Sequence, residues 1–192
     1  AYHDIEPSDY QAAMCDLDDP LINDAIEALA ALGATRSDLG MDMAEKILNA
    51  NPVGDSGRKQ VVIMFTDGTP TTSNTFSESV ANRAVTHAKN MKEKDVTVYT
   101  IGIFEGAQPL NEAETENNLS GNENRYMHAV SSNYPNAESY TNRGDSANTP
   151  PKSYYLSAGD ADTLNTIFEN IYHEIVTPSL ELGSSAVLKN VV

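Results

Sequence analysis

One cysteine and no tryptophan occur in a chain of 192 residues. Cys15 alone permits no internal disulfide and no cysteine-based metal site. It fits a cytosolic protein, or a bacterial surface protein that does without disulfides, and is expected as a small core side chain rather than a nucleophile. Positive charge is scarce too: 12 Lys and Arg stand against 28 Asp and Glu, a formal net charge of -16. Nucleic acid, whose phosphates demand a basic footprint, is excluded as a partner, as is an anionic membrane surface. Cations and neutral or basic proteins fit this balance, although an acidic surface most often serves solubility alone. Long apolar runs are missing, so no segment spans a bilayer as a helix. No signal peptide opens the chain, and no internal repeat is visible.

What is present is an alternation of helix and strand signals. After a turn-rich opening, Leu21, Ile22, Ala25, Ile26, Leu29 and Leu32 recur at helical spacing, and Gly33 ends the run. A second helix follows Thr35, with Ser37 or Asp38 as its expected cap and Leu39, Met43, Ile47 and Leu48 on its apolar face. Asn51-Pro52 stops it. Val61 to Phe65 is a continuous apolar run of strand length, the mark of a parallel strand covered on both faces. A helix is expected from about Ser77 to Lys94, and a strand from Val96 to Ile103. Strand, helix, strand at this spacing is a crossover unit, so the chain is expected to be α/β with an open, doubly wound, mostly parallel sheet. The stretch from Phe104 to Lys152 is irregular, with a short helix near Arg125 to Ser131. Tyr154 to Leu156 reads as a last strand, and Asp160 or Asp162 caps a final helix with Leu164, Ile167, Phe168, Ile171 and Ile175 as its buried row. Thr177-Pro178 breaks it, so residues 1–177 form one domain and 178–192 a linker or the start of another.

Two positions carry chemistry. Asp67 stands where the Val61 to Phe65 strand leaves the sheet, the place where open α/β folds bind ligands. With hydroxyls at Thr66 and Thr69 beside it, the site suits Mg²⁺, Ca²⁺ or Mn²⁺ better than soft metals; the plainer role for Asp67 is to cap a turn. Thr35, between Gly33-Ala34 and a helix, either offers its hydroxyl to a metal or caps the helix. The Asp-Gly-Thr run from Asp67 to Thr69 resembles a phosphatase loop of the haloacid dehalogenase type. The nucleophilic Asp of that loop would stand at position 65, which holds Phe65, so aspartyl-phosphate chemistry is excluded.

Gly33-Ala34-Thr35, followed by Val61 through Gly68 ending in Thr-Asp-Gly, resembles the von Willebrand factor A domain. Val96 to Ile103, Arg125 to Val130 and Tyr154 to Ile171 match its later elements in order, from about residue 11 to 177. Ile103-Phe104-Glu105-Gly106 and Met127 to Pro135 look like Gram-positive surface and pilus proteins. The resemblance implies a metal-ion-dependent adhesion site built from Asp-x-Ser-x-Ser on a first strand, one Thr and one Asp, with Thr35 and Asp67 as the last two of the five. No Asp-x-Ser-x-Ser occurs in this chain. The sheet is therefore expected to be incomplete at its N-terminus, with the missing N-terminal part of the domain as a partner. The implied function is a bacterial cell-surface or cell-wall adhesion module that uses Mg²⁺, or Ca²⁺ or Mn²⁺, to bind a carboxylate of a host or matrix protein. The alternative is a structural or assembly domain of a surface fibre without a working metal site. A metal-dependent hydrolase using Asp67 with His87 or His128 lacks a complete constellation, and no enzymatic activity is expected.

Overall fold

The computed structural model describes residues 19–28, 33–54, 58–66, 69–73, 75–109, 121–147 and 153–176. They form α1 (Pro20–Glu27), α2 (Ser37–Ala50), β1 (Val61–Thr66), α3 (Glu78–Lys92), β2 (Thr97–Gly102), α4 (Asn122–Val130), β3 (Tyr155–Ser157) and α5 (Ala161–Val176). The strands make a three-stranded sheet in the order β1-β2-β3, and both pairings are parallel. The α/β class read from the alternation of periodicities is the observed one.

The helices start where their caps dictate. The Asp19 carboxylate accepts from Leu21 N at 2.9 Å with Pro20 at the first position of α1. Ser77 Oγ accepts from Val80 N at α3, and Asp160 Oδ1 accepts from Thr163 N at 2.7 Å at α5. At α2 the expectation fails. Its cap position is Arg36, which makes no side-chain capping bond, and Ser37 and Asp38 lie inside the first turn. Both side chains are engaged elsewhere: Tyr126 Oη donates to Ser37 Oγ, and Asp38 accepts from arginines. The short helix begins three residues earlier than the periodicity indicates, at Asn122 after Gly121 at φ 90°.

Alternation along the strands sorts the core into two layers. On one face Val98, Tyr155 and the partly buried Val62 and Met64 pack with Met41 of α2, Ala84, Val85 and Ala88 of α3, and Met127 and Val130 of α4. On the other face Tyr99 and Ile101, with Val61, Ile63 and Leu156 at their margin, meet Ile167 and Ile171 of α5. Lys92, at the end of α3, reaches across to α4. Its Nζ donates to the carbonyls of Ala129, Val130, Ser131 and Tyr134 at 2.8–3.3 Å. The helix end and the turn after it are thereby satisfied by a side chain from the neighbouring helix.

The Val61 to Phe65 run is not covered as its composition predicts. β1 is a margin of the sheet among the described residues, and Phe65 is 56% exposed. Thr97 N donates to Gln60 O and Ile103 N to Thr66 O, both at 3.0 Å. In a parallel ladder this turns the even-numbered residues of β1 towards β2. Val61, Ile63 and Phe65 therefore turn their N–H and C=O groups outward, where no strand pairs with them among the described residues.

Candidate functional site

The carboxyl ends of the parallel strands bring Thr66, Gly102 and Ser157 to one rim. Gly102 is fixed there by close packing: a Cβ would stand 2.8 Å from Phe104 Cε1 and 3.2 Å from Tyr155 Oη. Asp67, the sharpest position in the sequence, lies outside the described residues; those on either side of it do not. Thr66 is buried at the end of β1. Beyond Asp67, the loop returns to the chain segment that leads into α2. Thr71 N donates to Thr35 O at 3.0 Å, and Thr35 N donates to Thr71 Oγ1 at 3.1 Å. This reciprocal pair fixes the backbone at Thr35 and leaves its hydroxyl without a hydrogen bond among the described residues. Thr35 and Thr66 also line the same groove of about 410 Å³, between β1 and the first turns of α2.

Sequence reasoning missed one carboxylate at this rim, and the partners of Asp38 in the first turn of α2. Glu123, in the first turn of α4, accepts from Thr69 Oγ1 at 2.9 Å and ties the loop after β1 to α4. Asp38 is fully buried and bears two guanidinium groups. Arg36 donates through Nε and Nη2, both at 2.9 Å, and Arg83 through Nε at 2.8 Å and Nη2 at 2.7 Å. Burial works against the charge on Asp38, but the hydrogen bonds from Arg36 and Arg83 outweigh it and hold the carboxyl below the ordinary range. In the sequence Asp38 reads as a cap of α2, and its partner Arg83 lies on another helix. Nothing in the sequence marks that contact.

The two histidines weighed for hydrolysis lie in other settings. His87 Nδ1 sits 2.7 Å from Glu45 Oε2 and 3.9 Å from Asp42 Oδ1, bridging α3 to α2. His128 is fully buried. Its Nε2 is 3.1 Å from Gln108 O, and its Nδ1 is 3.1 Å from Asn133 Nδ2, so Nε2 carries the proton and Nδ1 accepts. Asn133 Nδ2 also donates to Ser153 Oγ, and Asn133 Oδ1 accepts from Tyr154 N. This network binds the 104–109 loop, α4 and β3 together.

The donor set at the rim is oxygen throughout: hydroxyls of Thr35, Thr66, Thr69 and Thr71 and the carboxylate of Glu123. That chemistry fits a hard divalent cation and not a soft one. Among the described residues, which do not include Asp67, no group of three or more His, Cys, Asp or Glu gathers as a metal cage. No helix among these residues is long and apolar enough to cross a membrane. The family profile described as von Willebrand factor type A domain matches residues 9–143. No curated protein and no solved structure matches the chain significantly.

Proposed function

The chain belongs to the von Willebrand factor type A domain family, and from that premise we propose that it is an adhesion module whose metal site lies at the carboxyl rim of the sheet. Domains of this family commonly serve adhesion and protein–protein interaction. Thr35 and Asp67 would hold Mg²⁺, or Ca²⁺ or Mn²⁺. When bound, the cation supplies an electrophilic coordination position that a carboxylate of a host or matrix protein completes. The chain's own part is to orient the hydroxyls. The Thr35–Thr71 pair holds one side of the rim, and the Thr69–Glu123 bond ties Thr69 to α4.

The observation that carries this reading is the groove that Thr35 and Thr66 share, alongside the unpaired outer side of β1. The proposed occupant of that side is a further strand of the domain, since none pairs there among the described residues. A strand pairing with Val61, Ile63 and Phe65 would end beside Thr35 and Thr66, where it can supply the remaining oxygen ligands. The setting proposed for the module is the surface or cell wall of a Gram-positive bacterium, as part of a pilus or similar adhesin. The resemblance of Ile103 to Gly106 and of Met127 to Pro135 to such proteins supports this.

The test is thermal melting of the domain joined to its upstream sequence, with and without Mg²⁺ or Mn²⁺. A cation at about 100 times its dissociation constant adds about 2.7 kcal/mol, and about 2–4 °C per kcal/mol makes the shift easy to read. Asp67→Ala should remove the shift and, with it, divalent-dependent binding. A domain whose melting ignores the cation would instead be a structural or assembly unit of a surface fibre. The absence of Asp-x-Ser-x-Ser from the sequence favours that second reading.

A further inference from the structure

Arg143, in the loop after α4, is 6% exposed. Its guanidinium carbon lies 4.5 Å from the centre of the Tyr134 ring, a cation–π stack. Its Nη1 is closed to solvent and has no hydrogen-bond partner. No carboxylate pairs with it among the described residues, although Arg36 and Arg83 both find one. A guanidinium withdrawn from water and left unpaired keeps its desolvation cost. This arginine therefore stacks on the ring with one buried N–H group, Nη1, left without an acceptor.

The next residues turn the other way. Gly144 adopts φ 73°, in the left-handed region. Asp145 and Ser146 beyond it are exposed. The segment is anchored at its far end: Ser146 Oγ and Ala147 N donate to Asn133 O at 3.3 and 2.7 Å. On the other side, Asn142 O accepts from Glu138 N and Ser139 N.

We propose that Arg143-Gly144-Asp145 is a ligand loop with two positions, arginine-in as seen here and arginine-out, and that the outward form binds a partner offering an acidic pocket beside a divalent cation. Leaving the Tyr134 ring gives Nη1 the acceptor it lacks, from water or from a partner carboxylate. The planar guanidinium pairs with a carboxylate in a two-bond fork. The Asp145 carboxylate, already exposed, is a hard oxygen ligand for a divalent cation. Gly144 carries no side chain between the two charges, so a partner can approach the backbone there. The inference goes beyond the adhesion site at the rim: there the domain receives a carboxylate, here it gives one.

Two measurements on the intact chain decide it. Trypsin binds arginine in an acidic pocket of its own, so cleavage after Arg143 reports the outward form. The expected result is cutting at this bond at about ten times or more the rate that global unfolding allows, with Arg125 of α4 cut only at the global rate. The second probe is a Mn²⁺-loaded receptor ectodomain that binds the free peptide Arg-Gly-Asp-Ser. It should capture the wild-type chain, and Asp145→Glu, one methylene longer on an exposed side chain, should lower capture about tenfold or more. Cleavage after Arg143 only at the global unfolding rate, or equal capture of wild type and Asp145→Glu, overturns the proposal.

Discussion

Replacing Asp38 by Asn removes one charge and little volume, and its cost can be worked from the contacts. Asp38 is buried while its two arginines remain partly exposed, 32% for Arg36 and 37% for Arg83. Breaking a fully buried pair costs about 3–5 kcal/mol, mostly from the charge left behind. Here the orphaned guanidinium groups can turn to water, which reduces the loss to about 2–3 kcal/mol. At about 2–4 °C per kcal/mol the melting temperature falls by about 5–10 °C. The pH dependence has a definite sign. The folded carboxyl titrates below its ordinary value of 3.8, so the stabilisation is fully present above that value and is lost as pH falls through the lower folded one. The gap between wild type and Asp38→Asn, read from denaturant titrations, should be flat from neutrality to about pH 5 and close at more acid pH. Asp38→Asn should cost at least about 1 kcal/mol less in an Arg83→Gln background. A gap under about 1 kcal/mol at neutral pH, or no coupling to Arg83, refutes the reasoning and reduces the cluster to an ordinary surface pair.

Other outcomes follow from neighbouring features. Asn133→Ala removes the donor to His128 Nδ1 and the acceptor of Tyr154 N, and should cost about 2–3 kcal/mol in denaturant unfolding. Burial, with Lys89 adding to it, lowers the Lys92 ammonium from 10.5 to about 7. The unfolded chain then holds more protons between those values, so this residue's contribution to stability should rise with pH across that window. Lys92→Met should lack the rise when melting is followed from pH 7 to pH 10. Phe65→Lys on the open side of β1 should stay within about 0.5 kcal/mol of wild-type stability, yet reduce self-association in sedimentation experiments, because a charge blunts an unpaired strand.

The elements were legible because their periodicities differ. The apolar row of α5 and the runs at β1 and β2 declare helix and strand from spacing alone, and their order gives the parallel α/β sheet. The exposure of β1 was not legible. Composition records what a strand is selected to bury, whereas burial depends on neighbours, and no strand pairs with the outer side of Val61 to Phe65 among the described residues. The α2 cap was misjudged because Ser37 and Asp38 have ordinary capping side chains, and only long-range partners, Tyr126 and Arg83, draw them away. At the rim, Thr35 stands out in the sequence by its place after Gly33-Ala34. Glu123 was not, since its contact with Thr69 spans 54 residues and leaves no local pattern.

Lys92 implies an order of assembly. The carbonyls it caps lie 37 to 42 residues further along the chain. The end of α4 thus cannot be completed by local structure. It must await the docking of α3, and closing so long an intervening loop carries an entropic delay that local contacts avoid. The 131–147 stretch, which hangs from that turn, inherits the delay. It should be the last of the described segments to gain hydrogen-exchange protection during refolding, and the first to lose it when α3 and α4 part.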